Sequence, residues 1–194
     1  CSDWFDVSPK TDLKAEELFS TEAGFESSLT GIYLMMTDQG AYGGNMSFGM
    51  LDQLAQQYDY IPDGANDRMA IYNYATATTD GFRTKQKLAQ SWLKLYNIIA
   101  NCNNLLKWLD NKGEAVIRNA NTRNAYRAEA LAARAYCQFD LLRAWGPWKY
   151  GTDATAAAAN CIPYRKLADN SKQPLLPAKE IVALALKDLN EAKQ

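Results

Sequence analysis

Residues 82–112 read FRTKQKLAQSWLKLYNIIANCNNLLKWLDNK, and this stretch has the clearest helical pattern of the chain. Its apolar side chains recur in alternating steps of four and three residues, which places them on one face of an α-helix. That face consists of Leu88, Trp92, Leu95, Ile99, Cys102, Leu106 and Leu109. Gly113 follows shortly, and glycine is the residue type that most often ends a helix. A long helix over 82–112, capped by Gly113, is therefore predicted.

A second long helix is predicted downstream, over residues 122–145. One of its faces is apolar, because the following side chains recur at helical spacing: Leu131, Ala135, Phe139 and Leu142. Gly146 and Pro147 end this helix, since proline cannot continue it. The loop between the two helices, 114–121, is short enough to join them as an antiparallel helical hairpin.

Further helical patterns lie on either side of this hairpin. A helix over 21–38 is predicted with Ser20 as its N-cap, and a shorter helix over 46–57. A last helix begins at Pro177, a residue type favoured in the first helical turn. Because no alternating strand pattern accompanies these helices, the sequence predicts an all-α fold. Its antiparallel helical hairpins would form a tetratricopeptide-like (TPR-like) arrangement with long ordered loops.

The composition excludes several common kinds of active site. The chain has 194 residues, a formal net charge of −1 and no histidine, so it has no Ser-His-Asp or Cys-His nucleophilic site and no Cys₂His₂ zinc site. Near-neutral charge also argues against nucleic acid as a partner. A glycosidase needs only two carboxylates, but no spacing singles out a pair among the 22 acidic residues. The sequence therefore predicts a binding protein with no catalytic residue, metal site or cofactor.

Cys1 stands at the first position of the chain, where either trimming or cellular processing could place it. Bacterial lipoproteins are cleaved directly before a cysteine that then carries acyl chains, and several chains anchor a protein stably. No stretch is long and apolar enough for a transmembrane helix, so membrane attachment would rest on the lipid alone. Cys102 and Cys137 lie in apolar helical patterns and are predicted to be buried. For Cys161, the sequence leaves a surface thiol and a disulfide partner as alternatives.

The helical pattern lapses between residues 58 and 81, where turn-forming residues replace it. Loops of this length inside a compact domain are often functional. This one combines tyrosine rings, which can stack on the C–H faces of sugars, with polar side chains that can hydrogen-bond to hydroxyl groups. The candidate ligand-binding residues are Tyr58, Asp59, Tyr60, Asn66, Asp67, Arg68, Tyr72, Asn73 and Tyr74. Packing or contact with a partner protein is the alternative role for the same residues.

Five side chains on the two long helices and just beyond them have both a structural and a functional interpretation. Asn101 is predicted to satisfy a backbone group beside the core. Glu129 and Arg134 are predicted to be a structural charge set, because the rest of their helix is lined with alanine and apolar residues. Trp145 and Trp148 either form an aromatic patch that faces a partner or cover the core at the end of the helix.

Six segments follow one another in an order that is specific as a whole. They are Cys1 with DWFDVSP at 3–9; Leu29, Gly31 and Tyr33 within 25–33; Trp92, Tyr96, Ile99 and Asn101 followed by Asn104-Leu105-Leu106; Glu129-Ala130, Arg134-Ala135, Tyr136, Phe139, Leu142 and Trp145-Gly146; Ile162-Pro163-Tyr164; and Asp188-Leu189-Asn190-Glu191-Ala192. In this order they resemble the SusD/RagB-like outer-membrane lipoproteins of Bacteroidota. Members of that family are typically far longer, so the resemblance covers their N-terminal helical portion.

The resemblance implies a division of the chain into an N-terminal lipoprotein leader segment, 1–20, and a SusD-like N-terminal helical domain, 21–194, incomplete relative to the family. It implies acylation at Cys1 and a lipid-anchored location on the outer membrane at the cell surface. It further implies capture of a glycan or similar nutrient, with uptake through a SusC-like TonB-dependent transporter. The alternative is a helical protein-interaction scaffold that docks on an outer-membrane barrel without contacting sugar.

Overall fold

The structure, a computed structural model, describes residues 10–59, 82–169 and 171–194. At its centre, α4 (Phe82–Trp108) and α6 (Ala120–Trp145) lie antiparallel. Three contacts fix their relative direction: Trp92 packs on Trp145, Asn103 bonds to Arg134, and Asp110 pairs with Arg127. The residue numbers fall along one helix as they rise along the other. The predicted helical hairpin is therefore confirmed.

The predicted cap at Gly113 is wrong. After α4 the chain continues through a π-helical segment, Leu109–Gly113, and a short helix, α5 (Glu114–Val116). Gly113 has helical dihedral angles (φ −54°, ψ −44°) and lies buried within this continuation. The physical reason is Ile117, which is fully buried: the extra helical turn is what carries it back to the core.

The helices before the hairpin are α1 (Lys10–Leu18), α2 (Glu22–Met36) and α3 (Met50–Leu54). Thr21 caps α2, because its Oγ1 accepts a hydrogen bond from the Gly24 amide at 3.2 Å. The predicted cap, Ser20, instead donates to the Glu17 carbonyl at 2.6 Å. The helix predicted over 46–57 is shorter than expected, since residues 37–49 form successive turns.

α6 begins at Ala120, slightly before the predicted start, because the Asn119 side chain accepts from the Asn121 amide at 2.9 Å. It ends at Trp145 as predicted, directly before Gly146. The segment that follows contains α7 (Ala154–Ala158) and β1 (Asn160–Ile162). β1 pairs antiparallel with β2 (Leu176–Pro177), and these strands are too short to produce an alternating pattern.

The last helix, α8 (Ala178–Ala192), lies antiparallel to α6 and packs against it extensively. α2 runs parallel to α6, since Glu22 and Glu26 in its first half lie near Tyr126, whereas Tyr33 further along contacts Glu129. Both α2 and α6 pack on α4. The all-α class is confirmed, because helices dominate the regular structure of the described residues and the sheet among them has two short strands.

The core lies between α2, α4, α6 and α8. Its largest fully buried side chains are Phe19, Phe25, Ile32, Met50, Leu95, Ile98, Ile99, Leu105, Ile117, Leu131 and Leu141. Cys102 and Cys137 are buried among them, as predicted, and burial raises the pKa of the Cys137 thiol to about 12. Because both are buried, neither Cys102 nor Cys137 is exposed for chemistry. Cys161 is half-buried and unpaired, and its thiol donates to the Leu176 carbonyl at 3.5 Å.

Candidate functional site

Tyr58 and Asp59 are the two candidate ligand residues that the structure describes, and both are exposed. The hydroxyl of Tyr58 donates to the backbone carbonyl of Phe48, which fixes the ring beside the turn that leads into α3. The remaining candidates lie outside the described residues: Tyr60, Asn66, Asp67, Arg68, Tyr72, Asn73 and Tyr74. The proposed lipidation site, Cys1, lies outside them as well.

Phe48 is a candidate that the sequence analysis missed. Its ring is 61% exposed and Tyr58 is 52% exposed, so two neighbouring aromatic side chains face solvent on one surface. Backbone geometry holds them there, since Gln56 between α3 and Tyr58 takes a positive φ of 57° that turns the chain. The sequence does contain one indication that Phe48 is exposed. Phe48 does not share the apolar face of Met50, which is buried in the core.

A polar contact ties this surface to the hairpin. The Lys87 ammonium group on α4 donates to the Gln53 side-chain oxygen on α3 at 3.1 Å. This contact holds α3 against the N-terminal half of α4. Phe48 precedes α3 and Tyr58 follows it, so the pair lies beside a helix that is fixed to the hairpin. Exposed aromatic rings with nearby carboxylate and amide groups have the chemistry that stacks on sugar rings and hydrogen-bonds to their hydroxyls.

A separate apolar groove lies between α2 and α8, with α6 as its floor. Its volume is about 640 Å³. The lining residues are Tyr33, Met36, Glu129, Ala132, Ala133, Ala135, Tyr136, Phe139, Val182, Ala185, Leu186 and Leu189. At one end the Tyr33 hydroxyl donates to Glu129 Oε2 at 2.5 Å. Partial burial and the Glu129 carboxylate together raise the pKa of Tyr33 to about 12.

Arg134 is the centre of a buried polar network that crosses from α6 to α8. Its Nε and Nη2 donate to the two carboxylate oxygens of Asp188 at 2.8 and 2.7 Å. Its Nη1 donates to Asn103 Oδ1 on α4 at 2.9 Å. The Tyr164 hydroxyl donates to the same carboxylate at 2.5 Å. Burial disfavours the charged guanidinium, but Asp188 outweighs it and raises the pKa of Arg134 above its usual value.

The network also anchors the chain that follows β1. Asn103 Nδ2 donates to the carbonyls of Arg165 and Leu167 at 3.2 and 3.3 Å, and the Tyr96 hydroxyl donates to the Pro163 carbonyl at 2.9 Å. The amide of Gln138, oriented by its hydrogen bonds, donates to Pro163 and accepts from Arg165. These contacts give hydrogen-bond partners to backbone groups of a segment that has no regular secondary structure.

The prediction of a structural charge set is confirmed for Arg134, whose partner is Asp188 rather than Glu129. Glu129 lies on the groove side of α6 and accepts from Tyr33. Asn101 donates to the Asn97 carbonyl at 2.9 Å, which is the predicted backbone contact. A different asparagine, Asn103, is the buried one of the pair.

Trp145 and Trp148 lie in different environments, and this difference decides between their two predicted roles. Trp145 covers the core and packs edge-on against Trp92, with ring centroids 5.4 Å apart. Trp148 is 86% exposed, and the Lys149 ammonium group lies 4.4 Å from its ring. The two rings therefore do not form a common patch.

Residues 10–59, 82–169 and 171–194 contain no cluster of acidic and cysteine side chains that could hold a metal ion. No helix in the same ranges combines the length and the apolar character that crossing a bilayer demands.

Residues 3–194 match the model of a SusD-like family described as "Starch-binding associating with outer membrane". The chain belongs to this family. It is similar to a SusD-like protein of Bacteroides ovatus, with 26% identity over 140 residues, which are 70% of this chain and 24% of that protein. The chain thus matches about a quarter of the length of this curated relative.

Proposed function

We propose that this chain belongs to a cell-surface lipoprotein that captures a glycan and acts with a TonB-dependent transporter in its uptake. Membership of a family described as starch-binding and outer-membrane-associated supports the glycan and the membrane. The observation that carries the ligand site is the exposed Phe48–Tyr58 pair, which stands at the start of the tyrosine-rich segment. The role is binding without catalysis.

The chemistry of the Phe48–Tyr58 surface suits a carbohydrate better than a charged ligand. Two aromatic faces offer C–H stacking, and the neighbouring Asp59 and Gln57 offer an acceptor and an amide for hydroxyl groups. The segment from Tyr60 to Tyr74 supplies further side chains of the same two types. We propose that it completes the site.

Removing either exposed ring is expected to weaken glycan binding. Phe48→Ala and Tyr58→Ala should each raise the dissociation constant for maltoheptaose, a soluble fragment of starch, about 2- to 13-fold, since one aromatic contact is worth about 0.5–1.5 kcal/mol. Isothermal titration calorimetry measures the change. Trp148→Ala is the matched control, because it removes an aromatic ring that is even more exposed, at 86%, and does not belong to the Phe48–Tyr58 pair. Equal losses in all three variants would contradict the assignment of the site.

The lipid anchor and the transporter are tested together. Replacing Cys1 with serine in the producing bacterium is expected to move the protein from the outer-membrane fraction to the soluble fraction, because the acyl chains supply the attachment. Detergent extraction of the wild-type membrane should yield the chain together with a large barrel protein. A Cys1→Ser variant that stays in the membrane fraction would argue against lipidation at this residue.

A scaffold that docks on the barrel without contacting sugar is the second candidate. Trp148 favours it, because a tryptophan this exposed is typical of residues that anchor protein interfaces. The calorimetric titration separates the two candidates. If neither maltoheptaose nor a broad panel of glycans binds the wild-type protein while the barrel still co-purifies, the scaffold is the better description.

A further inference from the structure

A polar cleft, separate from the apolar groove, lies where four segments of the chain meet. These are the end of α4, the middle of α6, residues 166–168 and the end of α8. The volume of the cleft is about 370 Å³, which falls within the range of about 300–1,000 Å³ that small-molecule sites occupy. Its charged lining residues are Lys107, Asp110, Arg127, Arg134, Lys166 and Glu191.

The base of the polar cleft holds a positive charge in a fixed position. Arg134 lines the cleft, and its side chain is 8% exposed. Its hydrogen bonds to Asp188 and Asn103 use three of the five N–H groups of the guanidinium, so donor capacity remains for a further acceptor. Asn103 is held in turn by two backbone carbonyls. A cation that is fixed before the ligand arrives binds at a lower entropic cost.

Two lysines add positive charge at the rim of the cleft. Lys107, near the end of α4, and Lys166, after β1, are both exposed. Neither ammonium group forms an ion pair with another residue of the described ranges, although that of Lys166 lies 5.8 Å from the Tyr164 ring. Arg127 on the same rim is paired with Asp110. The two lysines are therefore the rim cations that a ligand can use.

The balance of charges fits a ligand with one negative charge. Four cationic side chains line the cleft, and the carboxylates of Asp110 and Glu191 line it as well. Asp188, which lies behind the cleft, offsets Arg134, so one positive charge is left in excess. A dianion such as a phosphate monoester would exceed this charge and would be repelled by the two carboxylates on the rim. A single carboxylate is therefore the acid group that the cleft favours.

The rest of the lining suits hydroxyl groups and C–H surfaces. The Asn111 amide can donate and accept hydrogen bonds, and the Glu191 carboxylate can accept them. Leu106 and Leu131, both buried, supply apolar contact at the base. A sugar ring that carries one carboxylate combines these three properties: a negative charge, hydroxyl groups and an apolar face.

We propose that the polar cleft is a second ligand site, in which Arg134, Lys107 and Lys166 bind the carboxylate of a sugar acid. The aromatic pair Phe48–Tyr58 takes no part in it. The proposal therefore does not rest on the glycan site proposed above, and it adds acidic sugar units to the ligands of this chain.

Calorimetric titration with galacturonate tests the site, and galactose, which lacks the carboxylate, is the neutral comparison. The protein is used as the bacterium produces it, solubilised in detergent. We expect galacturonate to bind at least 10-fold more tightly than galactose, because hydrogen bonds between charged groups are the strong ones. Arg134 is kept in every variant, since its loss is expected to destabilise the fold.

The rim lysines are tested by substitution. Lys107→Gln combined with Lys166→Gln should raise the dissociation constant for galacturonate about 2- to 30-fold, the range for two exposed ion pairs. Lys172→Gln combined with Lys179→Gln is the matched control, because it removes two exposed lysines that do not line the cleft. An unchanged dissociation constant in the rim variant, or an equal rise in the control, would overturn the proposed site.

The remaining arms separate the ligand class and the two sites. Equal affinity for galactose and galacturonate, or no binding of galacturonate, would overturn recognition of a carboxylate. If acetate competes as strongly as galacturonate itself, the cleft is a general anion site and the sugar acid is wrong. Phe48→Ala is expected to weaken maltoheptaose binding and to leave galacturonate binding unchanged. Loss of both in this variant would assign the sugar acid to the Phe48–Tyr58 surface.

Discussion

Replacing Arg134 with alanine is expected to lower the free energy of unfolding by about 3–5 kcal/mol, the largest effect of any single charge in the described chain. The substitution leaves the Asp188 carboxylate, whose side chain is 3% exposed, without its bidentate partner. The carboxylate would then be a buried charge whose lost hydration is compensated only by the hydrogen bond from the Tyr164 hydroxyl. Urea denaturation followed by circular dichroism measures the difference.

Lys94→Ala is the control for this prediction. Lys94 pairs with Asp38 at 3.0 Å, but both side chains are partly exposed. Solvent screens such a pair, so its loss is expected to cost at most about 1 kcal/mol. If Arg134→Ala is no more harmful than Lys94→Ala, the buried network does not stabilise the fold.

A double substitution separates two contributions to stability: that of the Arg134–Asp188 ion pair, and the cost of leaving one of its two charges buried without the other. Arg134→Met with Asp188→Leu removes both charges and keeps the volume, so it is expected to be less destabilising than the sum of the two single variants. The Tyr164 hydroxyl and Asn103 Oδ1 lose partners in the double variant, which sets a residual cost. Strict additivity of the two single variants would show that Arg134 and Asp188 do not interact.

Phe19→Ala is expected to lower the free energy of unfolding by about 3–5 kcal/mol, because it removes a fully buried ring from the core. The ring stacks on Trp108, with centroids 5.2 Å apart, and meets Phe25 edge-on at 4.9 Å. The cavity left behind would be bounded by α1, α2 and α4, elements that cannot all close on it without losing other contacts. Chemical denaturation followed by tryptophan fluorescence measures the loss, since Trp108 lies beside the cavity.

Leu18→Ala is the matched control for Phe19→Ala. Leu18 is the neighbouring residue in the chain and is 43% exposed, so its truncation is expected to cost well under 1 kcal/mol. The comparison also tests the proposed boundary at residue 20. A large effect at Phe19 would mean that the end of the 1–20 segment is energetically part of the helical domain. A small effect at both positions would favour an independent leader.

The long helices could be predicted because their patterns are local. Leu95, Ile99 and Cys102 recur at helical spacing, and all three are fully buried in the structure. Their ends could be predicted only where proline or glycine acts on the backbone itself, as at Gly146. At Gly113 the same reasoning failed, because burial of Ile117 outweighs the preference of glycine for the end of a helix.

The chemistry of the candidate ligand site could be predicted from the sequence. Which other residues lie beside it could not. Tyr58 belongs to a stretch rich in tyrosine and polar residues, which is visible in one dimension. Phe48 joins it only because the turns before α3 and the positive φ of Gln56 bring two exposed rings to one surface. No periodicity marks a contact that is made by a turn.

The sequence by itself determined the all-α class, the central hairpin, the family resemblance and the absence of histidine chemistry. Each of these follows from residue types and their local spacing, and local spacing is what determines secondary structure. Only the tertiary structure decided that Arg134 pairs with Asp188, 54 residues away, and that α2, α6 and α8 leave an apolar groove. Such features depend on which helix faces pack together. That choice minimises the exposed apolar surface of the whole chain, so no short segment contains it.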